Sequence, residues 1–96
     1  MAVVHIRMGS VMGSGAPVYS ARARASQSIT STGSAQTSTI EAQGGEFITV
    51  TISGDPVYIA IAGAPNSAVV PREMVTSVKD FGPCQAGDKV SLINIV

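Results

Sequence analysis

The run Glu46–Ser53 (EFITVTIS) alternates strictly, with Ile48, Val50 and Ile52 on one side of an extended chain and Phe47, Thr49 and Thr51 on the other. Side chains of a β-strand point to opposite faces in turn, so this pattern specifies a half-buried strand and conflicts with the 3.6-residue repeat of an amphipathic helix. Residues 53–56 read Ser-Gly-Asp-Pro, a turn by residue type, because glycine reaches unusual φ values and proline fixes its own. Val57–Ala62 (VYIAIA) then alternates again, Val57, Ile59 and Ile61 against Tyr58, Ala60 and Ala62. Two alternating runs across so short a turn predict a β-hairpin.

The remaining chain reads in the same style. Gln85–Lys89 (QAGDK) is a turn and Val90–Val96 a closing strand. Val3–Met8 is a short strand, followed by Gly9–Gly15 (GSVMGSG), expected to be a flexible connection. In Val18–Ala25 (VYSARARA) the alanines and arginines favour helix weakly, but Tyr19, Ala21, Ala23 and Ala25 alternate against Val18, Ser20, Arg22 and Arg24, and the neighbouring Ser and Thr favour strand. From Ser26 to Thr39, nine of fourteen residues are Ser or Thr, which predicts a polar strand or two around residues 32–34, anchored by Ile29 and Ile40. Ala64–Pro71 is a loop punctuated by Pro65, Asn66 and Pro71, and Glu73–Lys79 is one more short strand. No segment carries a long helical repeat. The expected fold is all-β: a compact antiparallel β-sandwich or barrel of about six or seven short strands. Residues 1–16 form a flexible N-terminal arm in this reading, and residues 17–96 a single β-domain.

Composition narrows the function. Charged residues make up 12% of the 96-residue chain, about half the usual share, and six Lys plus Arg balance six Asp plus Glu. No net field attracts polyanions, so nucleic acid is not an expected partner. The longest apolar stretch, Val57–Pro65, is about half of what a bilayer-spanning helix needs, so no membrane partner is expected either. The N-terminus lacks a basic segment followed by an apolar one with a cleavage pattern, and reads as mature protein. With one Cys, Cys84, no intrachain disulfide closes, and a zinc site would need Cys84, His5 and two acids to converge from distant positions. A small buried cysteine and a strand histidine are expected instead, with no cofactor.

Nucleophile-elbow and phosphate-loop motifs are absent, and Gly13-Ser-Gly15 lacks the third glycine and the strand-to-helix context of a dinucleotide site. Glu41, Glu46, Asp55, Glu73, Asp80 and Asp88 sit at predicted turns or strand ends, where solvated acids are ordinary, so the expected protein is not an enzyme. Arg22 and Arg24, two apart on a strand, share one face and suit a protein neighbour better than nucleic acid, since no aromatic side chain is interleaved with them. Without Trp, and with only two Tyr and two Phe, a carbohydrate platform is weakly supported. What stands out is an uncharged Ser/Thr/Ala and Val/Ile surface, which suits packing against another copy or a larger assembly.

Pro56–Asn66 (PVYIAIAGAPN), Ala86–Ile93 (AGDKVSLI) and the Val18–Arg22 run (VYSAR) ahead of its Ser/Thr-rich stretch resemble short virion structural proteins of tailed bacteriophages. These stretches cover roughly half the chain, and residues 1–16 fall outside the pattern. The resemblance implies a homo-oligomeric β-sandwich subunit that decorates or cements the capsid against the major capsid protein or neighbouring virion subunits, or sits at the head–tail junction. It brings no catalytic residues. Partner contacts are expected at Val3, Val4, His5 and Ile6, with the Gly9–Gly15 connection letting them reach a neighbour's sheet edge, and at Arg22 and Arg24. The alternative is a small glycan- or host-surface-binding module using loops Ala64–Pro71 and Phe81–Gly87 as its rim.

Overall fold

The computed structural model describes residues 2–12, 18–19 and 24–95. Its strands are β1 (Ala2–Gly9), β2 (Val11–Met12), β3 (Val18–Tyr19), β4 (Ala25–Thr30), β5 (Gln36–Thr37), β6 (Phe47–Gly54), β7 (Val57–Ala62), β8 (Glu73–Val75), β9 (Val78–Phe81) and β10 (Lys89–Asn94). Two four-stranded antiparallel sheets result, one in the order β4-β1-β6-β9 and one in the order β5-β10-β7-β8, with β2 and β3 as a separate two-stranded ladder. No helix occurs among the described residues. The all-β sandwich expected from alternation is the fold observed.

Alternation fixes the core. In the first sheet Val4, Ile6 and Met8 of β1 stand opposite Ile52, Val50 and Ile48 of β6, and in the second Ile59 of β7 stands opposite Leu92 of β10, with Val57 and Val90 one step to either side on the same inward face. These side chains are all buried, together with Ala2, Ala42, Val75 and Cys84. A fully buried side chain of this kind stabilises the fold by about 1.5–3 kcal/mol, which makes the facing rows the main source of stability.

Three expectations are corrected here. Residues 2–9 of the expected arm form β1, an interior strand hydrogen-bonded to β4 on one side and β6 on the other. The Gly-rich stretch after it continues as Val11–Met12, which pairs back on Val18–Tyr19; Gly13, Ser14 and Gly15 lie outside the described residues. A strand that buries every second side chain needs sheet neighbours.

The second correction concerns β6 and β7, which are not a hairpin: β6 lies in the first sheet and β7 in the second. Alternation tells which side chains face inward, but it does not say whether the next strand pairs through its backbone or lies across the core. Gly54, at a φ of 118°, takes a conformation open chiefly to glycine as the chain crosses between sheets. The predicted strand over residues 73–79 also splits, at Thr76 and Ser77, into β8 of one sheet and β9 of the other.

Candidate interaction surfaces

Three regions carry the polar chemistry of the molecule: the outer face of the first sheet, the edge where β4 passes to β5, and the edge where β8 passes to β9. On the outer face, register builds rows across the strands. Ser28, His5, Thr51 and Val78 form one, and Ser26, Arg7, Thr49 and Asp80 the next. His5 Nδ1 and the Ser28 hydroxyl lie 2.7 Å apart, and the Thr49 hydroxyl donates to Asp80 Oδ1 at 2.8 Å. Strand alternation places these hydroxyls outward because Ile6, Val50 and their neighbours take the inward positions.

This geometry sorts the expected contact residues. His5 is exposed and Val3 half-buried on the outer face, whereas Val4 and Ile6 are 0% and 1% exposed in the core and cannot touch a partner. The reason is their parity on β1, an interior strand whose even-numbered side chains all face the second sheet. Arg22 lies outside the described residues. Arg24 is described, and its partner lies within the chain.

Arg24 precedes β4 and Glu46 precedes β6. Arg24 Nε donates to both Glu46 oxygens, at 2.9 and 2.7 Å, and its Nη2 donates to the Glu41 carbonyl at 2.6 Å. Glu46 Oε1 also accepts the Gln43 N–H at 2.7 Å. The Glu46 side chain is 6% exposed and that of Arg24 36%. The hydrogen bond from Arg24 holds the Glu46 carboxyl below its ordinary pKa, helped by the Gln43 N–H and opposed by burial, and the same bond raises Arg24. Glu46 was expected to be a solvated acid. Its parity carried the missed signal, since position 46 continues the inward row of Ile48, Val50 and Ile52.

Buried serines join the sheets at the same edge. Ser31 donates its N–H to the Ala2 carbonyl at 2.7 Å, accepts the Ala2 N–H on its hydroxyl at 2.8 Å, and donates that hydroxyl to Asn94 Oδ1; the Asn94 N–H donates to the Thr32 carbonyl at 2.9 Å. Ser38 bonds both backbone groups of Val90, donating its N–H at 2.8 Å and accepting the Val90 N–H on its hydroxyl at 3.0 Å. Each short hydroxyl satisfies a backbone group that burial would otherwise leave unpaired.

The opposite edge is built differently. Glu73 of β8 stands opposite Ile59 and Lys79 of β9 opposite Val50, so both side chains take inward register positions on strands that bound their sheets. They meet at 3.1 Å, with side chains 50% and 46% exposed. The loop over residues 63–72, leading into β8, folds back on the second sheet. Ser67 donates its N–H to the Ser91 hydroxyl at 2.9 Å, and that hydroxyl donates to Ser67 Oγ at 2.8 Å. Arg72 caps the Tyr58 ring at 3.8 Å and donates to the Ser67 and Ala68 carbonyls, at 3.2 and 3.3 Å. Tyr58 is thereby covered on that face, which takes it from the set of rings open to a sugar.

The other acids have local roles. Asp88 Oδ2 accepts the Gln85 N–H at 2.9 Å, closing the turn before β10. Cys84 is buried, donates its thiol to the Phe81 carbonyl at 3.6 Å, and has its pKa pushed up by burial and by Asp88, which keeps the thiol protonated. His5 faces outward on the first sheet, so the two do not converge, and no metal-binding cluster occurs among the described residues. No family model, no curated protein and no solved structure matches the chain.

Proposed function

We propose that the protein is a non-enzymatic structural subunit of a bacteriophage virion that decorates or cements the capsid by docking on the major capsid protein or a neighbouring virion subunit. The observation that carries this reading is the outer face of the first sheet, where Ser26 and Ser28 of β4 and Thr49 and Thr51 of β6 flank His5 and Arg7 of β1 in rows that end on Val78 and Asp80 of β9. A sheet face that sets hydroxyls beside an imidazole, a guanidinium and a carboxylate offers hydrogen-bond donors and acceptors to a protein surface. The resemblance of Pro56–Asn66 and Ala86–Ile93 to small virion proteins supports the same reading and extends equally to a place at the head–tail junction. A glycan-binding role is the weaker reading, because Arg72 already occupies the face of Tyr58.

The test is co-sedimentation with shells assembled from a tailed-phage major capsid protein. The wild-type protein is expected to pellet with the shells, and Thr51→Glu, which puts a charge in the middle of the outer face, to stay in the supernatant while melting as the wild type does. A protein that never pellets with shells, or one whose binding ignores Thr51→Glu, overturns the proposal.

A further inference from the structure

The four most exposed large hydrophobic residues described all fall in one stretch of ten: Val69 at 55%, Val70 at 78%, Met74 at 57% and Val78 at 58%. Loop mobility does not account for the two valines. Their loop is fastened by the Ser67–Ser91 hydrogen bonds, by Arg72 on Tyr58, and by the Asn66 side chain, which accepts the Ala68 N–H at 3.0 Å. The fold holds Val69 and Val70 outward on a rigid support. They also line a hollow of about 210 Å³ floored by Ala60 and Ile61, and a second hollow of about 330 Å³ adjoins it over the same floor and reaches Phe81.

Strand β7 supplies that floor with an open edge. β8 pairs with Val57, Tyr58 and Ile59 only, so beyond Ile59 the β7 edge lies outside the ladder. The surface therefore combines a protruding apolar knob, an apolar hollow beside it, and a short unpaired strand edge. Its charge is small: Glu73 and Lys79 pair at 3.1 Å, and Arg72 is held over Tyr58.

We propose that this edge binds a second copy of the chain about a two-fold axis, Val70 of each copy entering the hollow over Ala60 and Ile61 of the other. A knob and a hollow contiguous on one face are complementary under a two-fold, because each copy then contributes both halves of the contact. With Glu73 and Lys79 paired and Arg72 engaged on Tyr58, two like surfaces approach with little repulsion, and the edge offers a polyanion or an anionic membrane few cations. This deepens the assembly reading above by naming the surface that joins copies, and leaves the outer face of the first sheet free for the shell.

Sedimentation equilibrium and light scattering of the isolated chain test the proposal without any shell. The wild type is expected to behave as a dimer, and Val70→Glu to halve the particle mass with an unchanged circular dichroism spectrum and a Tm that no longer depends on protein concentration, since the side chain lies outside the core. Ser28→Glu, on the other face, is expected to leave the mass alone. Val70→Ala should weaken association at least about tenfold, corresponding to roughly 1.4 kcal/mol. A wild type that stays monomeric at every concentration, a ring with an odd number of copies, or a dimer indifferent to Val70→Glu overturns the two-fold. A monomer that binds shells only through Val70 assigns the edge to a different protein and also overturns it. Failure of shell binding with the Val70-dependent dimer intact would leave this inference standing and remove the virion reading alone.

Discussion

The two long edges of the sandwich are closed by different chemistry. Where β4 passes to β5, Ser31 and Ser38 bond backbone groups across from them, and a nearly buried carboxylate, Glu46, grips Arg24 and the Gln43 N–H. Where β8 passes to β9, one half-exposed ion pair spans the mouth between the sheets, with Val69, Val70, Met74 and Val78 exposed along the same stretch. The first edge satisfies its polar groups internally, the buried Gln36 Oε1 of β5 excepted, and a partner would gain little from it. The second leaves apolar area uncovered, so covering it lowers free energy only when another molecule arrives. Inward-pointing charges on its bounding strands discourage indiscriminate strand addition while leaving a shaped surface beside them.

Breaking the first edge should be costly. Glu46→Ala removes the carboxylate from Arg24 and strands the Gln43 N–H in a buried site, and is expected to destabilise by about 2–3 kcal/mol, moderated because Arg24 keeps some access to water. In a domain of this size that corresponds to a fall in Tm on the order of 10 °C, read by calorimetry. The pair also fixes a pH signature. The folded-state pKa of Glu46 lies below its unfolded value, so its contribution is complete above about pH 4.3 and is lost as pH falls through the folded pKa. Glu46→Gln should flatten the acid side of the stability profile. A variant that melts with the wild type from neutral to acid pH would show that the first edge is not held by this pair.

Ser31→Ala comes next. It deletes the hydroxyl that accepts from Ala2 and donates to Asn94, leaving the Ala2 N–H without that partner in a site that is 0% exposed, and should cost about 1–2 kcal/mol in urea unfolding with an unchanged m-value. Ser28→Ala, on the exposed face of β4 just ahead of Ser31, should cost less than about 0.5 kcal/mol. If the two serines cost the same, the buried clamp contributes nothing special and the contrast between the edges collapses.

The sequence reveals much of this architecture and leaves out a specific part. Strand parity is legible because burial imposes it, and it places Ile48, Val50, Ile52, Val57 and Ile59 in the core from the amino-acid string alone. Sheet membership is not legible there: Gly54–Pro56 turns the chain, but whether β7 then pairs with β6 or faces it depends on the other strands. Val4 and Ile6 were misread as contacts for the same reason, since a strand's neighbours are not written in its own residues. Glu46 could have been found by carrying the inward row back one step. Its partner Arg24, 22 positions away, could not. The exposed valines sit in a loop recognisable from Pro65, Asn66 and Pro71, yet only the folded contacts of Ser67 and Arg72 show that the loop is held with them outward.

The smallest expected effect is the most informative about the second edge. Lys79 and Glu73 meet at 3.1 Å but both are about half exposed, so solvent screens the pair, and holding two long side chains in one geometry costs rotamer entropy. Glu73→Gln and Lys79→Gln should each destabilise by no more than about 0.5 kcal/mol, with a coupling energy of similar size in a double-mutant cycle, falling toward zero in roughly 1 M salt. A coupling well above about 1 kcal/mol that persists in salt would mean that this edge is sealed internally like the other. A small, salt-sensitive coupling leaves the β8/β9 edge fastened weakly by its own charges. Its stability should then rise with protein concentration in the wild type and not in Val70→Glu, because binding a second copy favours the folded chain by mass action.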